Sequence, residues 1–265
     1  CSAIVRQYHI GHEDGVLEIR DRVLNNHRDA MLKLDIPLAF DARESISEAL
    51  YSGVKRKPTA CHEDQTNQRW VAVRGTQIGK PAYLAVASTG SSAHSFTGDR
   101  LAVNVLRSPA YSSFNVSPDD DRLNGRFLPR QDQGEHEVSY RVLVGKAFRE
   151  TDVHRAAAVL NVPPVWQVYY PQADSVNRRR RLDVAETITV DDRDVQVVAV
   201  KKAEIGNAMI IRLQNTAGGE RTVSLRVKPF RGVMKLSIGK FGLATVKVQR
   251  GGSKLRWKEV DLVEG

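Results

Sequence analysis

The amino-acid sequence predicts an all-β protein made of two units. Short runs rich in Val, Ile and Leu alternate with Gly, Asn, Asp and Pro along nearly the whole chain of 265 residues, as strands and turns do. The pattern stops once, at the polar and aperiodic stretch 171–181, which is typical of a linker. We therefore expect a large β-domain over 1–172, a linker over 173–184 and a small C-terminal β-sandwich over 185–265.

Apolar alternation locates the strands of the large domain. Leu32, Leu34, Ile36 and Leu38 alternate with polar residues, so one face of this strand is expected to be buried and the other wet. Pro37 cannot donate a ladder hydrogen bond, which predicts an edge or a strand end there. Further strands are expected at 15–26, 44–50, 69–74, 82–88, 94–96, 101–106 and 136–145.

A single helix interrupts these strands, and a second strand series follows the linker. The helix is expected to begin with Thr151 or Asp152 as its N-cap and to end at Asn161, before Pro163 and Pro164. After the linker, turn signals separate apolar runs at spacings typical of a β-sandwich. These runs are 195–203, 208–216, 221–229, 232–238, 244–250 and 254–264.

Composition excludes some classes of protein and weakens others. No apolar run approaches the roughly 18 residues of a membrane-spanning helix. A net charge of +9 and a pI near 9.7 bring nucleic acid into consideration. However, the one dense basic run, 177–181, has no interleaved aromatic residues for base stacking. A solvated linker is the preferred interpretation of this run, with an anion-binding patch as the alternative, and nucleic-acid binding is not predicted.

The termini and cysteines suggest the origin of the chain. It lacks an initiator Met and begins in strand-like sequence, which suggests a piece of a longer protein. Cys1 and Cys61 are the only cysteines, so the chain is not expected to contain a framework of disulfide bonds. A reducing, cytoplasmic location is therefore expected.

The segment "DQGEHEVSYRV", 132–142, carries the first candidate site. In an extended strand, Glu135 and Glu137 point to one face and His136 to the other. The two carboxylates would lie about 7 Å apart, a separation that acid–base catalysis can use. The alternative is a polar loop entering a strand at Gly134, with Asp132 and His136 contacting a ligand. The seven histidines have no metal-binding spacing, so no local zinc site is predicted.

The segment "LRSPAYSS", 106–113, carries the second candidate site. Arg107 follows a predicted strand, Pro109 ends the pairing and Tyr111 offers an aromatic surface with a hydroxyl group. Arg107 and Tyr111 could hold a polyhydroxylated ligand by hydrogen bonds and stacking. An ordinary strand exit explains the same residues equally well.

The order of the segments is more specific than any of them alone. This succession resembles the C-terminal region of α-mannosidases of glycoside hydrolase family 38. The first five segments are "LEIRDRVLNNHRDAMLKLDIPLAF" (17–40), "EALYSGVKRKPT" (48–59), "QRWVAV" (68–73), "LAVNVLRSPAYS" (101–112) and "DQGEHEVSYRV" (132–142). The sixth, "VQVVAVKKAEIGNAMIIRLQN" (195–215), resembles the terminal β-sandwich of the family.

The resemblance implies a fold and an activity. The fold would be a large β-supersandwich of the galactose-mutarotase-like type followed by a smaller β-sandwich. The activity would be hydrolysis of α-mannosides with retention of configuration. In the family a zinc ion and an Asp nucleophile in an N-terminal α/β barrel perform this reaction.

The barrel has no counterpart in this sequence, so the resemblance assigns no catalytic or metal-binding residue to it. It implies a non-catalytic region that packs on a missing barrel and forms part of the wall of the sugar site in that barrel. The zinc ion is expected in the missing domain. The expected substrate-contact residues are Arg107, Tyr111, Asp132 and His136. Such a region should expose an apolar patch on one face.

Two other functions remain open at the level of sequence. One is a free-standing mutarotase-like carbohydrate-binding module. The other is an epimerase or lyase on the same fold that uses His136 with Glu135, which is the least favoured because no second histidine or base occupies a matching position.

Overall fold

A computed structural model of the chain describes residues 2–11, 16–50, 52–60, 64–109, 130–165, 188–228, 230–251 and 254–264. It divides into two compact units, Cys1–Pro163 and Pro164–Gly265. The expected linker, 173–184, lies outside the described residues. Within the described part of the chain, no helix has both the length and the apolar character needed to cross a bilayer.

The described residues of the first unit form two antiparallel sheets and one helix. A seven-stranded sheet has the order β1-β2-β11-β8-β7-β4-β5, and a four-stranded sheet has the order β3-β10-β9-β6. The elements are β1 Ala3–Ile10, β2 Leu17–Asn25, β3 Met31–Pro37, β4 Asp41–Ala49, β5 Ser52–Arg56, β6 Gln65–Thr66, β7 Trp70–Gln77, β8 Lys80–Ser88, β9 Ala93–Phe96, β10 Arg100–Arg107, β11 Gly134–Gly145 and α1 Glu150–Asn161.

The main core of this unit lies between the two sheets. Each strand contributes alternate residues to it, because successive side chains of a strand point to opposite faces. β11, for example, buries Val138, Tyr140 and Val142. Its largest partners from other strands are Phe96, Leu101, Leu34 and Ile19.

The strands predicted for this unit are confirmed, and Pro37 ends β3, which is an edge strand. β5 and β6 were not predicted. Neither "SGVKR" nor "QT" shows apolar alternation, and each strand exists because it pairs with a strong neighbour, β4 or β9 respectively.

The helix α1 packs on the opposite face of the seven-stranded sheet. Val153, Ala156 and Ala157 are buried against a second apolar cluster that includes Ile46 and Trp70. The helix ends at Asn161 as predicted, but the predicted N-cap is wrong. The helix begins at Glu150 with Arg149 at the N-cap position, because Thr151 turns toward the sheet and is only 2% exposed.

A buried carboxylate lies under this helix. Glu48 of β4 is 3% exposed and accepts hydrogen bonds from the Arg69 Nη2 atom at 2.5 Å and the Arg69 backbone N at 2.8 Å. Its Oε1 also lies 3.3 Å from the His154 Nδ1 atom of α1. Burial raises the pKa of Glu48, but hydrogen bonds from His154 and Arg69 outweigh burial and lower the pKa to about 2. The cluster ties the helix to the sheet.

The second unit is a smaller pair of antiparallel sheets, ordered β12-β15-β16 and β13-β14-β17-β18. All six predicted strands are confirmed, and the short strand β12 was not predicted. Ile211, Leu213, Leu225, Met234 and Val246 fill the core. The elements are β12 Ile188–Val190, β13 Val195–Lys202, β14 Met209–Asn215, β15 Arg221–Val227, β16 Met234–Ile238, β17 Leu243–Gly251 and β18 Lys254–Val260.

His94 of β9 makes the first unit sensitive to acid. The ring is fully buried, with its Nδ1 atom 3.2 Å from the Asn67 Oδ1 atom. Burial, reinforced by the positive charge of Arg56 and partly opposed by Asp64, lowers the pKa of His94 to about 4. The unfolded chain takes up a proton as the pH falls through the ordinary value of 6.5, whereas the folded chain does so only near 4. Stability is therefore highest above pH 6.5 and falls between pH 6.5 and 4, by about 3 kcal/mol.

We predict that His94→Gln flattens this dependence. The free energy of unfolding, measured by urea denaturation between pH 7 and 4, should fall less steeply in the variant than in the parent chain. The contribution of Glu48 is lost only as the pH falls from 4.5 toward 2, so it overlaps little with this range. Equal slopes for the two chains between pH 6.5 and 4.5 would contradict the assignment to His94.

Candidate functional site

Four strand ends meet at one end of the first unit and form the candidate site. They are the ends of β2 and β10 and the beginnings of β3 and β11. Pairing fixes this arrangement, because Asn25 lies opposite Gly134 and Arg107 lies opposite Met31. The loop that enters β11 therefore lies beside the exit of β10, and the two segments selected from the sequence come together.

Asp132 links these segments. Its Oδ2 atom accepts a hydrogen bond from the Arg107 backbone N at 3.1 Å. Its carbonyl oxygen accepts one from the Asn25 Nδ2 atom at 2.7 Å. Asp132 has a φ of 49°, in the left-handed region that Asp and Asn tolerate better than most residues. Gln133 adds a further link, since its Nε2 atom donates to the His27 carbonyl oxygen at 2.7 Å.

His136 and its neighbouring glutamates lie on opposite faces of β11, as predicted. Glu135 is exposed and forms a 2.9 Å ion pair with Arg22, which raises the pKa of that guanidinium through the hydrogen bond and the nearby charge. His136 lies opposite Val23 on the inner face. Its Nε2 atom is buried and has no hydrogen-bond partner in the described part of the chain. Because the strand separates them, His136 and Glu135 cannot act on the same substrate atom.

A cavity of about 420 Å³ opens between the sheets at this end. That volume lies within the range of small-molecule sites. Its polar side chains are largely engaged, since Asn25 bonds Asp132 and His27 and the Ser108 hydroxyl donates to the Ala30 carbonyl oxygen. The cavity therefore offers mainly apolar walls. It is lined by Ser2, Ala3, Ile4, Val23, Asn25, His27, Ala30, Met31, Leu32, Leu106 and Ser108.

The four residues predicted to contact substrate have different positions. Arg107 and Asp132 are in contact, and the Arg107 side chain is exposed. His136 lies on the inner face of the adjoining strand, whereas Tyr111 lies outside the described residues. Asn25, His27 and Ser108 also line the site and were not predicted from the sequence. Asn25 lies near the end of the predicted strand 15–26, and Ser108 flanks the selected Arg107.

Zinc does not fit the described residues of this chain. They contain no group of three His, Cys, Asp or Glu side chains that could hold a metal ion. The carboxylates near the site also have other partners, Arg107 for Asp132 and Arg22 for Glu135.

These features define a two-unit, antiparallel β-sandwich region with a ligand-sized cavity at one end. The fold matches part of solved α-mannosidase structures. An α-mannosidase from Enterococcus faecalis V583 matches with a TM-score of 0.69 and 15% identity over 92% of this chain. A glycosyl hydrolase family 38 protein from Enterococcus faecalis matches with a TM-score of 0.72 and 15% identity, also over 92%. The match covers 28% and 29% of those two chains, respectively.

The expected likeness to family 38 structures is thus confirmed at the level of fold, and this chain corresponds to less than a third of their length. No protein-family model matches the sequence. No curated protein matches it either.

We predict that Asp132 holds the site together through its side-chain hydrogen bond and its backbone conformation. Asp132→Ala should lower the free energy of unfolding by about 1–2 kcal/mol, because the Arg107 backbone N loses its acceptor and Ala tolerates a positive φ poorly. Asp132→Asn retains an acceptor oxygen and tolerates this φ, so it should cost less than half as much. Urea denaturation of both variants at neutral pH measures the difference, and equal losses would contradict this role.

Proposed function

We propose that the chain is the C-terminal, non-catalytic region of a retaining, zinc-dependent α-mannosidase. The fold match carries this proposal, because it covers 92% of this chain but less than a third of the similar structures. The order of the segments that resemble the family supports it independently. In this proposal zinc and the nucleophile belong to an N-terminal α/β barrel, and the substrate is an α-mannoside. The proposed enzyme acts in the cytoplasm, in line with the sparse cysteines.

The strand β1 is the proposed docking surface for the rest of that enzyme. Ile4, Tyr8 and Ile10 lie opposite Val23, Ile19 and Leu17, so they share the inner face of the seven-stranded sheet. They are nevertheless 50%, 65% and 69% exposed. Among the described strands β1 also lies at the edge of its sheet, and an edge strand presents a row of backbone groups to which another chain segment can pair. An apolar face that remains exposed typically marks an interaction surface.

We propose that the DQGEH loop, by which we mean residues 132–136 at the entry of β11, forms part of the wall of the sugar site together with the neighbouring Arg107. Arg107 is exposed and its side chain forms no ion pair with a described residue, so its guanidinium is available to sugar hydroxyls. Asp132 holds the Arg107 backbone in position. His136 would support the wall from the inner face rather than perform chemistry, because Glu135 lies on the other face.

The second candidate is a free-standing carbohydrate-binding module. The 420 Å³ cavity at the same end of the sandwich favours it, since a sugar ring could enter without a second domain. The mainly apolar lining and the engaged amide of Asn25 count against tight binding of a polar sugar.

We predict that the isolated chain does not hydrolyse an aryl α-mannoside, even with zinc supplied, because the described residues contain no group that could hold the metal and the proposed nucleophile belongs to the missing barrel. A longer protein that includes this chain and a preceding catalytic domain should hydrolyse it, and removal of zinc with a chelator should abolish that turnover. Metal-dependent turnover by the isolated, folded chain would refute the non-catalytic assignment. Calorimetric titration of the isolated chain with mannose tests the alternative, because tight binding without turnover would favour the module.

We also predict that Tyr8→Asp separates docking from folding. In the isolated chain it should change the thermal midpoint little, because the side chain is already exposed. In the longer enzyme it should lower the thermal midpoint by several degrees, since it places a charge in an apolar interface. Val5→Asp, on the opposite face of β1 and 60% exposed, is the matched control. Equal effects of the two substitutions in the longer enzyme would exclude this face as the docking surface without affecting the turnover result.

A further inference from the structure

A second, larger cavity lies at the opposite end of the first unit, away from the DQGEH loop. The end of β11 and the beginning of β8 form one side of it, and β4, β5 and β7 form the other. Its volume is about 630 Å³. We call it the basic cavity because of its lining residues, which are Arg43, Glu44, Lys55, Arg56, Lys57, Arg74, Gly75, Thr76, Pro81, Ala82, Lys146 and Phe148.

The charges around the basic cavity are unbalanced. Six of its lining residues are cationic and one, Glu44, is acidic. Glu44 is paired with Arg74, and Arg43 is paired with Asp41 at 2.9 Å. Arg56 donates to the Ser47 hydroxyl at 2.6 Å. A surplus of positive charge therefore remains within one concave surface, where field lines are focused.

Three lysines carry the part of this positive charge that is not paired with an acidic side chain of the described residues. Lys55 belongs to β5, Lys57 follows the same strand, and Lys146 follows β11. None of the three forms an ion pair with a described residue, and all are exposed. Because β5 and β11 lie at different positions of the sheet, Lys55 and Lys57 approach the cavity from one side and Lys146 approaches it from another.

The floor of the basic cavity is fixed and partly apolar. The Arg74 guanidinium lies 5.7 Å from the centroid of the Phe148 ring, within the range of a cation–π contact. Phe148 also packs edge-on against Tyr83, with ring centroids 5.4 Å apart. Arg74 is thus held by Glu44 and Phe148 together. Pro81 and Ala82 continue the apolar surface.

We propose that the basic cavity binds a small molecule that carries a phosphate or sulfate group. The lysines and the preorganised Arg74 supply charge-assisted hydrogen bonds for the anion. The Phe148 side of the cavity accommodates the less polar body of the molecule, such as the face of a sugar ring. The volume admits a ligand of that size. The inference is independent of the proposed mannosidase function, because it uses no residue of the DQGEH end.

Calorimetric titration of the chain at physiological ionic strength tests this inference. The probes are inorganic phosphate, inorganic sulfate, a hexose 6-phosphate and the same hexose without phosphate. We expect the hexose phosphate to bind at least tenfold more tightly than the free hexose, and the two inorganic anions to compete with it. Failure of both inorganic anions and the hexose phosphate to bind would overturn the proposal.

Substitutions of single cationic residues test whether the hexose phosphate binds in the basic cavity. Lys55→Gln and Lys146→Gln should each weaken binding of the hexose phosphate about tenfold, because each removes one charge-assisted interaction. Arg28→Gln removes the same charge from an exposed residue at the DQGEH end and should leave the affinity within twofold. An equal loss with Arg28→Gln would show that the anions respond to overall charge, and the site would be rejected. All three side chains are exposed, so the variants should remain folded.

Discussion

The two faces of the seven-stranded sheet are covered by layers of different size, and this difference determines most features of the first unit. Seven strands at about 4.8 Å spacing span about 34 Å. Within the described residues, four strands face them on one side. On the other side these residues form one helix of 12 residues, which is about 18 Å long and about 10 Å wide. Neither of these two described layers is wide enough to cover the whole sheet, so they bury its middle more completely than its ends.

The chemistry of each face follows this coverage. Under the helix, even a carboxylate is buried, and Glu48 remains ionised there only because Arg69 and His154 surround it. Beyond the helix, the same face carries exposed charges such as the Arg22–Glu135 pair. On the inner face, the apolar residues of the edge strand β1 remain in contact with solvent. Burial in this unit thus depends on what lies opposite a residue as much as on the residue type.

The fold class and most strands could be predicted from the sequence, because alternation records which residues face the core. β5 and β6 could not, since their pairing depends on the neighbours β4 and β9 rather than on their own composition. The helix N-terminus was misplaced for a related reason. Thr151 is a good capping residue in isolation, but packing against the sheet places it inside the helix.

The candidate site was predictable only in part. Asp132 and Arg107 stood out as polar residues at strand ends. Pairing of β2 with β11 and of β3 with β10, together with the short connection from Asn25 to Met31, brings them together. Asn25 is equally close to the site, but it lies 107 residues from Asp132 in the chain. No local pattern could connect the two. The basic cavity could not be predicted for the same reason, because its cations come from four separate segments and only Lys55, Arg56 and Lys57 are adjacent in the sequence.

The position of β11 also has a consequence for how the chain folds. β4, β5, β7 and β8 pair with near neighbours in sequence, and β1 pairs with β2, so two partial sheets can form from local contacts. β11 lies between them, paired with β2 on one side and β8 on the other. Closing the loop of more than a hundred residues that joins β2 to β11 costs about 4 kcal/mol of chain entropy. The two halves should therefore join late and slowly. During synthesis, a nascent chain carries two unpaired strand edges, on β2 and β8, until residue 145 has left the ribosome.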